Sequence, residues 1–292
     1  MGQNTTLTRR VQPFLDVPGS EGREVLGKLR IRGVDGMTGT CKLAIIGGSG
    51  ISGVEGFRQD DEVTPPTPWG QASAPIRIGT LAGIPALYLA RHGEPHALAP
   101  HHINYRANLQ ALADLGATAV IGIAAVGGID VSAAPGTLWL PTQLIDYTSG
   151  RENSFFDGVV HALQHQEFAG PCDHEMRSLL ERAAVRAGIQ VQARGVYGCT
   201  QGPRLETAAE IARMERDGCE LVGMTGMPEA VLARELGLPY ASLAMVVNRA
   251  AGLETQPITL EQIHREAAGC AERIARILDC AARMLAGSGN RV

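Results

Sequence analysis

The sequence predicts an α/β protein built on a central mixed or mostly parallel sheet with helices on both faces. Three observations carry this. From residue 42 onward, short apolar runs alternate with amphipathic stretches. Several runs, such as TAVIGIAA at 118–125 and YASLAMVV at 240–247, are apolar at successive positions, as in strands covered on both sides. Glycine follows four of the amphipathic stretches, at Gly116, Gly188, Gly218 and Gly237, where a left-handed helix end requires it.

In chain order, strands are expected over 42–47 (KLAIIG), 85–90 (PALYLA), 118–125, 136–140 (GTLWL), 194–199 (RGVYGC), 220–223 (ELVG) and 240–247. Helices are expected over 104–115, 173–187, 207–217, 228–236 and 260–285, with Pro228 suited to a first helical turn. Residues 1–36 mix Arg, Glu, Gly and Thr without sustained periodicity. They read as a disordered extension, or as an upstream start misassigned over one at Met37.

The 292 residues are 45% apolar and 19% charged, which excludes a mainly disordered chain. The net charge of −4 speaks against binding nucleic acid through a general positive field. Abundant glycine (36 residues) and few aromatics (4%) suit an α/β enzyme better than a single-strand binder. The six cysteines, at 41, 172, 199, 219, 270 and 280, have neither zinc-finger nor thioredoxin spacing and read as reduced thiols of a cytoplasmic enzyme. No apolar run approaches the ~20 residues that span a bilayer, and no apolar stretch follows Arg9 and Arg10 as a secretory signal would require.

Residues 48–53 (GSGISG) match G-x-G-x-x-G after a strand. A dinucleotide site needs a helix beginning at that loop, so that its N-terminus holds the pyrophosphate. Here 54–70 (VEGFRQDDEVTPPTPWG) follows, with three prolines and two glycines, and no long helix can run there. A redox or regulatory nucleotide-binding protein is the reading from another class. The loop is otherwise a tight turn without ligand, or backbone N–H groups and the Ser49 hydroxyl hold one small anion. Arg91 and His92 follow 85–90, at the strand end where open α/β sheets place ligands. Arg91 there is either a two-pronged phosphate grip or half of a surface ion pair. His161 and His165 stand four apart without the Glu of a zincin, so a metal is not expected. His101 and His102 sit at a helix start, for capping or exposure. Neither a G-x-S-x-G elbow nor a Walker loop is present.

As a set, the motifs are specific. AIIGGSG (44–50), LARHGEPH (89–96), NYRAN (104–108), AAVGGI (124–129), GPRLET (202–207) and the stretch 223–248 (GMTGMPEAVLARELGLPYASLAMVVN) occur in one order. In that order the chain resembles the trimeric purine nucleoside phosphorylase family, in particular its 5′-methylthionucleoside branch. The resemblance implies one domain over 37–292, with a central mixed sheet flanked by helices. It implies phosphate attack on the anomeric carbon of a nucleoside through an oxocarbenium-like transition state, with release of the purine. It further implies inorganic phosphate as co-substrate, no cofactor or metal, no nucleic-acid or membrane partner, and a homotrimer or dimer of trimers. Carried over by position, Ser49, Arg91, His92, Thr225 and the backbone N–H of Ala125 would bind phosphate. Met224 would pack under the sugar, with His96 close by. Ala124 stands where the methylthioadenosine enzymes commonly have a phosphate-binding Thr.

Further positions bear on the substrate. Glu206 could accept the N1–H of a 6-oxopurine but would face the N1 lone pair of adenine, and leaving a buried polar group unpaired costs about 1–3 kcal/mol. Asn248, read as catalytic, could donate to O6 and accept a proton carried on N7; outside the resemblance it reads as a strand-end cap. Ala250 replaces a second acid of the adenine branch. Ile258 and Leu260 offer an apolar wall to a methylthio group, although Leu260 is also explained as helix core. Leu205 stands where an aromatic commonly stacks on the base. The combination points to a 6-oxopurine on a 5′-methylthio sugar. The alternatives are methylthioadenosine and then inosine or guanosine.

Overall fold

The computed structural model describes residues 41–48, 53–156, 158 and 162–288. The segment 1–36, Ser49 and His161 lie outside the described residues. The strands are β1 (Leu43–Gly47), β2 (Phe57–Val63), β3 (Ile76–Leu81), β4 (Ile84–Ala90), β5 (Ala119–Gly128), β6 (Leu138–Trp139), β7 (Gln143–Asp146), β8 (Val196–Cys199), β9 (Leu221–Gly223) and β10 (Tyr240–Arg249). They form one mixed sheet in the order β2-β3-β4-β1-β5-β9-β8-β7, with β10 pairing β5 and β6. The helices are α1 (Tyr105–Asp114), α2 (His174–Ala187), α3 (Ala208–Arg216), α4 (Gly226–Glu235) and α5 (Leu260–Ser288). All residues of β1, and all but one each of β5 and β10, are buried. Since alternate side chains face opposite sides, both faces of the sheet centre are covered.

Three helices, α1, α2 and α3, begin where their sequence supplies a side-chain cap. Asn104 accepts from the Ala107 N–H at the start of α1, and Asp173 accepts from Met176 at the start of α2. Thr207 and Glu210 form a reciprocal capping box on α3. Gly116, Gly188, Gly218 and Gly237 all take positive φ, between +68° and +89°, as the four sequence positions predict. In α4, Met227 is non-helical (φ −117°, ψ 135°), so the regular helix begins at Pro228.

Three strands were not expected. β2 (FRQDDEV) is exposed along nearly its whole length and has no apolar alternation. It is an edge strand whose run of acids guards against pairing with another chain. β3 is interrupted for sequence reading by Gly79, where any Cβ would lie 2.0 Å from the Arg58 carbonyl oxygen beside a bulge in β2. β7 is short and half-exposed. The expected strand 136–140 shrinks to the two residues of β6, and β5 and β10 each run two or three residues further than expected.

One polar side chain ties a loop to this frame. Asn108 on α1 is 1% exposed; its Oδ1 accepts from the Ser73 N–H at 2.7 Å and its Nδ2 donates to Ser73 Oγ at 3.0 Å. Asn108→Ala strands the Ser73 N–H, and a loss of about 1–3 kcal/mol is expected. Urea unfolding should show a lower midpoint with an unchanged slope.

Candidate active site

A strand has two edges, and β5 has three partners. β10 runs along one edge from Val120 to Gly128. β1 and β9 therefore share the other. β1 pairs in parallel and stops opposite Gly122; β9 pairs antiparallel and begins at Gly127. Their carboxyl ends face each other across a gap spanning residues 123–126 of β5. One end delivers Gly48, the other Met224 and Thr225. N–H and C=O groups of alternate residues share an edge, so those of Ile123 and Ala125 both face the gap.

Arg91, from the end of β4, enters this gap. Its N–H bonds to the Gly47 carbonyl at 2.9 Å, continuing the β1–β4 pairing. The guanidinium is 1% exposed. Nε and Nη2 donate to the two carboxylate oxygens of Glu229 at 2.7 and 2.8 Å, and Nη1 donates to the Ile123 carbonyl at 2.7 Å. Neither alternative of the sequence reading describes this residue fully: the ion pair is buried rather than on the surface. Three of the five guanidinium N–H groups are committed to the protein, leaving two for a ligand. Tyr240 also donates to Glu229, at 3.0 Å. Glycine at 122 is required here, because a Cβ would lie 2.5 Å from both Glu229 Oε1 and the Tyr240 hydroxyl. Burial opposes the charge on Arg91, but Glu229 opposes burial through charge and hydrogen bonding, and holds the pKa above the ordinary arginine value. Burial, followed by the Glu229 charge, raises that of Tyr240.

His92 is 7% exposed and its Nδ1 lies 2.9 Å from the Leu98 carbonyl. A carbonyl only accepts, so Nδ1 carries the proton and Nε2 of the neutral ring is an acceptor. Burial pushes the His92 pKa down to about 4. Its ring packs 4.3 Å from that of His96. Thr225 precedes α4 but its side chain makes no capping bond, and its N–H donates to Tyr197 at 3.3 Å.

These groups open onto a cavity of about 640 Å³. Arg91, His92, His96, Ala124, Ala125, Leu205, Glu206, Met224, Thr225, Asn248, Ile258 and Leu260 all line it. Glu206 accepts from the Thr200 hydroxyl at 2.6 Å. Asn248 donates from Nδ2 to the Arg249 carbonyl at 2.7 Å and fits against Gly127, where a Cβ would come within 3.2 Å of Nδ2. The Arg91 contact at Ile123 and the Asn248 contact at Gly127 are four residues apart on β5, or roughly 13 Å. Leu205 and Leu260 are exposed, at 41% and 73%.

Ala250 is a correction to the sequence reading. It is 2% exposed and packs with Ile211, Met214 and Cys219 beneath the site, because the chain turns after Arg249 and presents Ala251 to the cavity instead. Sequence reading also missed Glu229, His264 and Arg151. An acid inside the apolar stretch MPEAVLA was the available signal for Glu229. His264 lines the cavity one turn beyond Leu260, as helical spacing allows. Nothing in the sequence marks Arg151. Among the described residues, no group of three or more His, Cys, Asp or Glu side chains could hold a metal ion. The stretch after the glycine loop forms strand β2, not the helix that a dinucleotide site requires.

The chain belongs to the phosphorylase superfamily, whose family model matches residues 42–283. Two similar relatives carry the name "Probable S-methyl-5′-thioinosine phosphorylase". One, from Pseudomonas syringae pv. tomato, is 50% identical over 76% of this chain and 90% of the relative. The other, from Xanthomonas campestris pv. campestris, is 51% identical over 76% and 89%. A "Probable 6-oxopurine nucleoside phosphorylase" of Moorella thermoacetica is 40% identical over 76% and 85%. The solved methylthioadenosine phosphorylase of Schistosoma mansoni with adenine superposes with a TM-score of 0.81 at 29% identity, covering 85% of this chain and 92% of that one. No helix among the described residues is long and apolar enough to cross a membrane.

Two stability outcomes follow from the buried groups. Arg91→Ala leaves Glu229 buried without its cation, so a loss of about 3–5 kcal/mol is expected, and adding Glu229→Gln should recover much of it; chemical denaturation of the three proteins checks this. His92 binds its proton only near pH 4, whereas the unfolded chain binds it near 6.5. The unfolded state thus holds more protons between those values, so stability is lost as pH is lowered from about 6.5 to about 4, by up to ~1.4 kcal/mol per unit. Melting temperatures from pH 7 to 4 should show this slope, and it should flatten in His92→Gln.

Proposed function

We propose that the chain cleaves S-methyl-5′-thioinosine with inorganic phosphate, giving hypoxanthine and 5-methylthioribose 1-phosphate. The observation that carries this reading is that Glu206 and Asn248, a carboxylate and an amide, line one cavity with the apolar side chains of Ile258 and Leu260. The relatives at 50–51% identity support it.

In this reading phosphate lies in the gap along β5, held by the two remaining N–H groups of Arg91, the Ala125 N–H and the Thr225 hydroxyl, with Ser49 from the glycine loop. His92 accepts the phosphate O–H through Nε2. A phosphate oxygen forms the new bond to the anomeric carbon while the bond to purine N9 breaks and its electron pair passes to the base. Met224 and His96 flank the sugar. Glu206 accepts from N1–H. Asn248 donates to O6 and accepts from N7, to which solvent delivers the proton, since an amide is not an acid at neutral pH. Leu205 covers the base. The ~13 Å between the Arg91 and Asn248 contacts along β5 suits a nucleoside lying between phosphate and base positions. No cofactor is needed. A homotrimer or dimer of trimers in the cytoplasm completes the reading, with light scattering as its test.

One observation favours a second substrate class. His264 lines the cavity beside the apolar Leu260 and can donate to a 5′-hydroxyl, so inosine is the alternative.

Hypoxanthine release should depend on added phosphate, and methylthioinosine should be preferred to methylthioadenosine. Two mismatched edges of about 1–3 kcal/mol each give roughly 10²–10⁴-fold discrimination if they add. Asn248→Asp should raise adenine use only in part, and Glu206→Ser with Asn248→Asp should shift it further. The measurement is kcat/KM for both nucleosides and inosine across wild type, Glu206→Ser, Asn248→Asp and the double variant. A wild type that prefers methylthioadenosine, or a ratio that neither residue alters, would refute the base assignment.

A further inference from the structure

Arg151 lies in the loop after β7 and does not line the cavity, yet it bonds to two of the segments that do. Nη1 donates to the carbonyls of Met224 and Met227 at 2.8 and 2.6 Å. Nη2 donates to the carbonyls of Thr200 and Gln201 at 3.1 and 2.9 Å, and Nε donates to Gln201 Oε1 at 3.2 Å. All five guanidinium N–H groups thus have acceptors, divided between the 200–206 loop and the 224–227 turn. A third wall is reached through Tyr105: Nη1 lies 3.3 Å from its hydroxyl, which donates to the Pro100 carbonyl at 3.0 Å. The guanidinium also sits 5.6 Å from the centre of the Tyr105 ring.

The two segments carry different parts of the site. Leu205 and Glu206 belong to the first, Met224 and Thr225 to the second; the two leave the paired ends of β8 and β9 side by side, where the Thr200 N–H donates to the Gly223 carbonyl at 2.7 Å, and Arg151 bridges them beyond that root. We propose that Arg151 is a positioning residue that sets the distance between the base-reading wall and the phosphate-and-sugar wall. The inference rests on the phosphorolysis proposed above. Transfer requires base and phosphate to be held on opposite sides of one sugar carbon, where a shift of about 1 Å can cost ~10²-fold in rate. A guanidinium suits this task because its planar, forked donors reach four carbonyls in fixed directions. The three donors of a lysine ammonium cannot do so.

The test compares wild type, Arg151→Ala and Arg151→Lys with methylthioinosine and methylthioadenosine, alongside hydrogen exchange by mass spectrometry. Both variants should remain folded by circular dichroism. Their kcat should fall about 10²-fold or more, and the preference between the two nucleosides should shrink at least several-fold, because Glu206 moves relative to the sugar. Faster exchange should appear in both 200–206 and 224–227. Guanidinium ion below denaturing concentration should restore part of the Arg151→Ala activity, while methylammonium at equal ionic strength should not. Unchanged kcat and nucleoside ratio in a folded variant, or exchange changes confined to residues beside 151, would overturn the proposal. So would the failure of both variants to fold, which would make Arg151 a stability residue. A wild type that cleaves none of the nucleosides would instead count against the proposed function.

Discussion

Two strands meet end to end on one edge of β5. Because β1 arrives parallel and β9 antiparallel, both bring their carboxyl ends to the same break, and a stretch of central strand is left without a strand partner on that edge among the described residues. Its backbone groups need partners when buried. Arg91 supplies one, to the Ile123 carbonyl, and the rest of the gap opens into the cavity. Much of the local sequence answers this arrangement. Gly122 leaves space for Glu229 and Tyr240 behind the arginine, Gly127 leaves space for Asn248, and at Gly128 a Cβ would lie 1.8 Å from the Ala133 carbonyl.

The break also sets the electrostatics. A lone buried guanidinium would be held at great cost, so Glu229 accompanies it and the local formal charge cancels. His92 adds no charge, since burial keeps it neutral at ordinary pH. An anion in this gap is therefore met by directed hydrogen bonds and backbone dipoles more than by net positive charge. Donors fixed in advance need no reorganisation when charge moves, and that is the condition under which electrostatic stabilisation of a transition state is strongest. The buried pair is thus a device for holding donors still.

Around this rigid centre the remaining walls are loops. They take their places from side-chain contacts, within one loop for Glu206 to Thr200 and distant in sequence for Asn108 to Ser73 and for Arg151 to the carbonyls of two segments. These contacts come from side chains with no periodic pattern, which is why they could not be read before the chain was folded. Arg151 stands in a loop with no pattern around it, and Glu229 is marked only as an acid inside an apolar helical stretch.

Local physics was sufficient for much of the frame. Apolar runs gave the central strands, and helix caps and positive-φ glycines gave the helix ends, because these follow from residues within a few positions of one another. That Arg91, His92, Glu206, Met224, Thr225 and Asn248 belong together was implied by the family resemblance alone, and all six line one cavity. The acidic edge strand β2 was hidden because its partner, not its own composition, makes it a strand. Ala250 was assigned to the cavity and lies under it, because a single-residue turn of the chain after Arg249 decides which side a side chain faces. Tertiary structure alone decided that Arg91 is paired, that His92 presents an acceptor and that His264 reaches the cavity. The Arg91 pair depends on Glu229, 138 positions away, and the His92 tautomer on the Leu98 carbonyl, six positions on, which the loop turns back onto the ring.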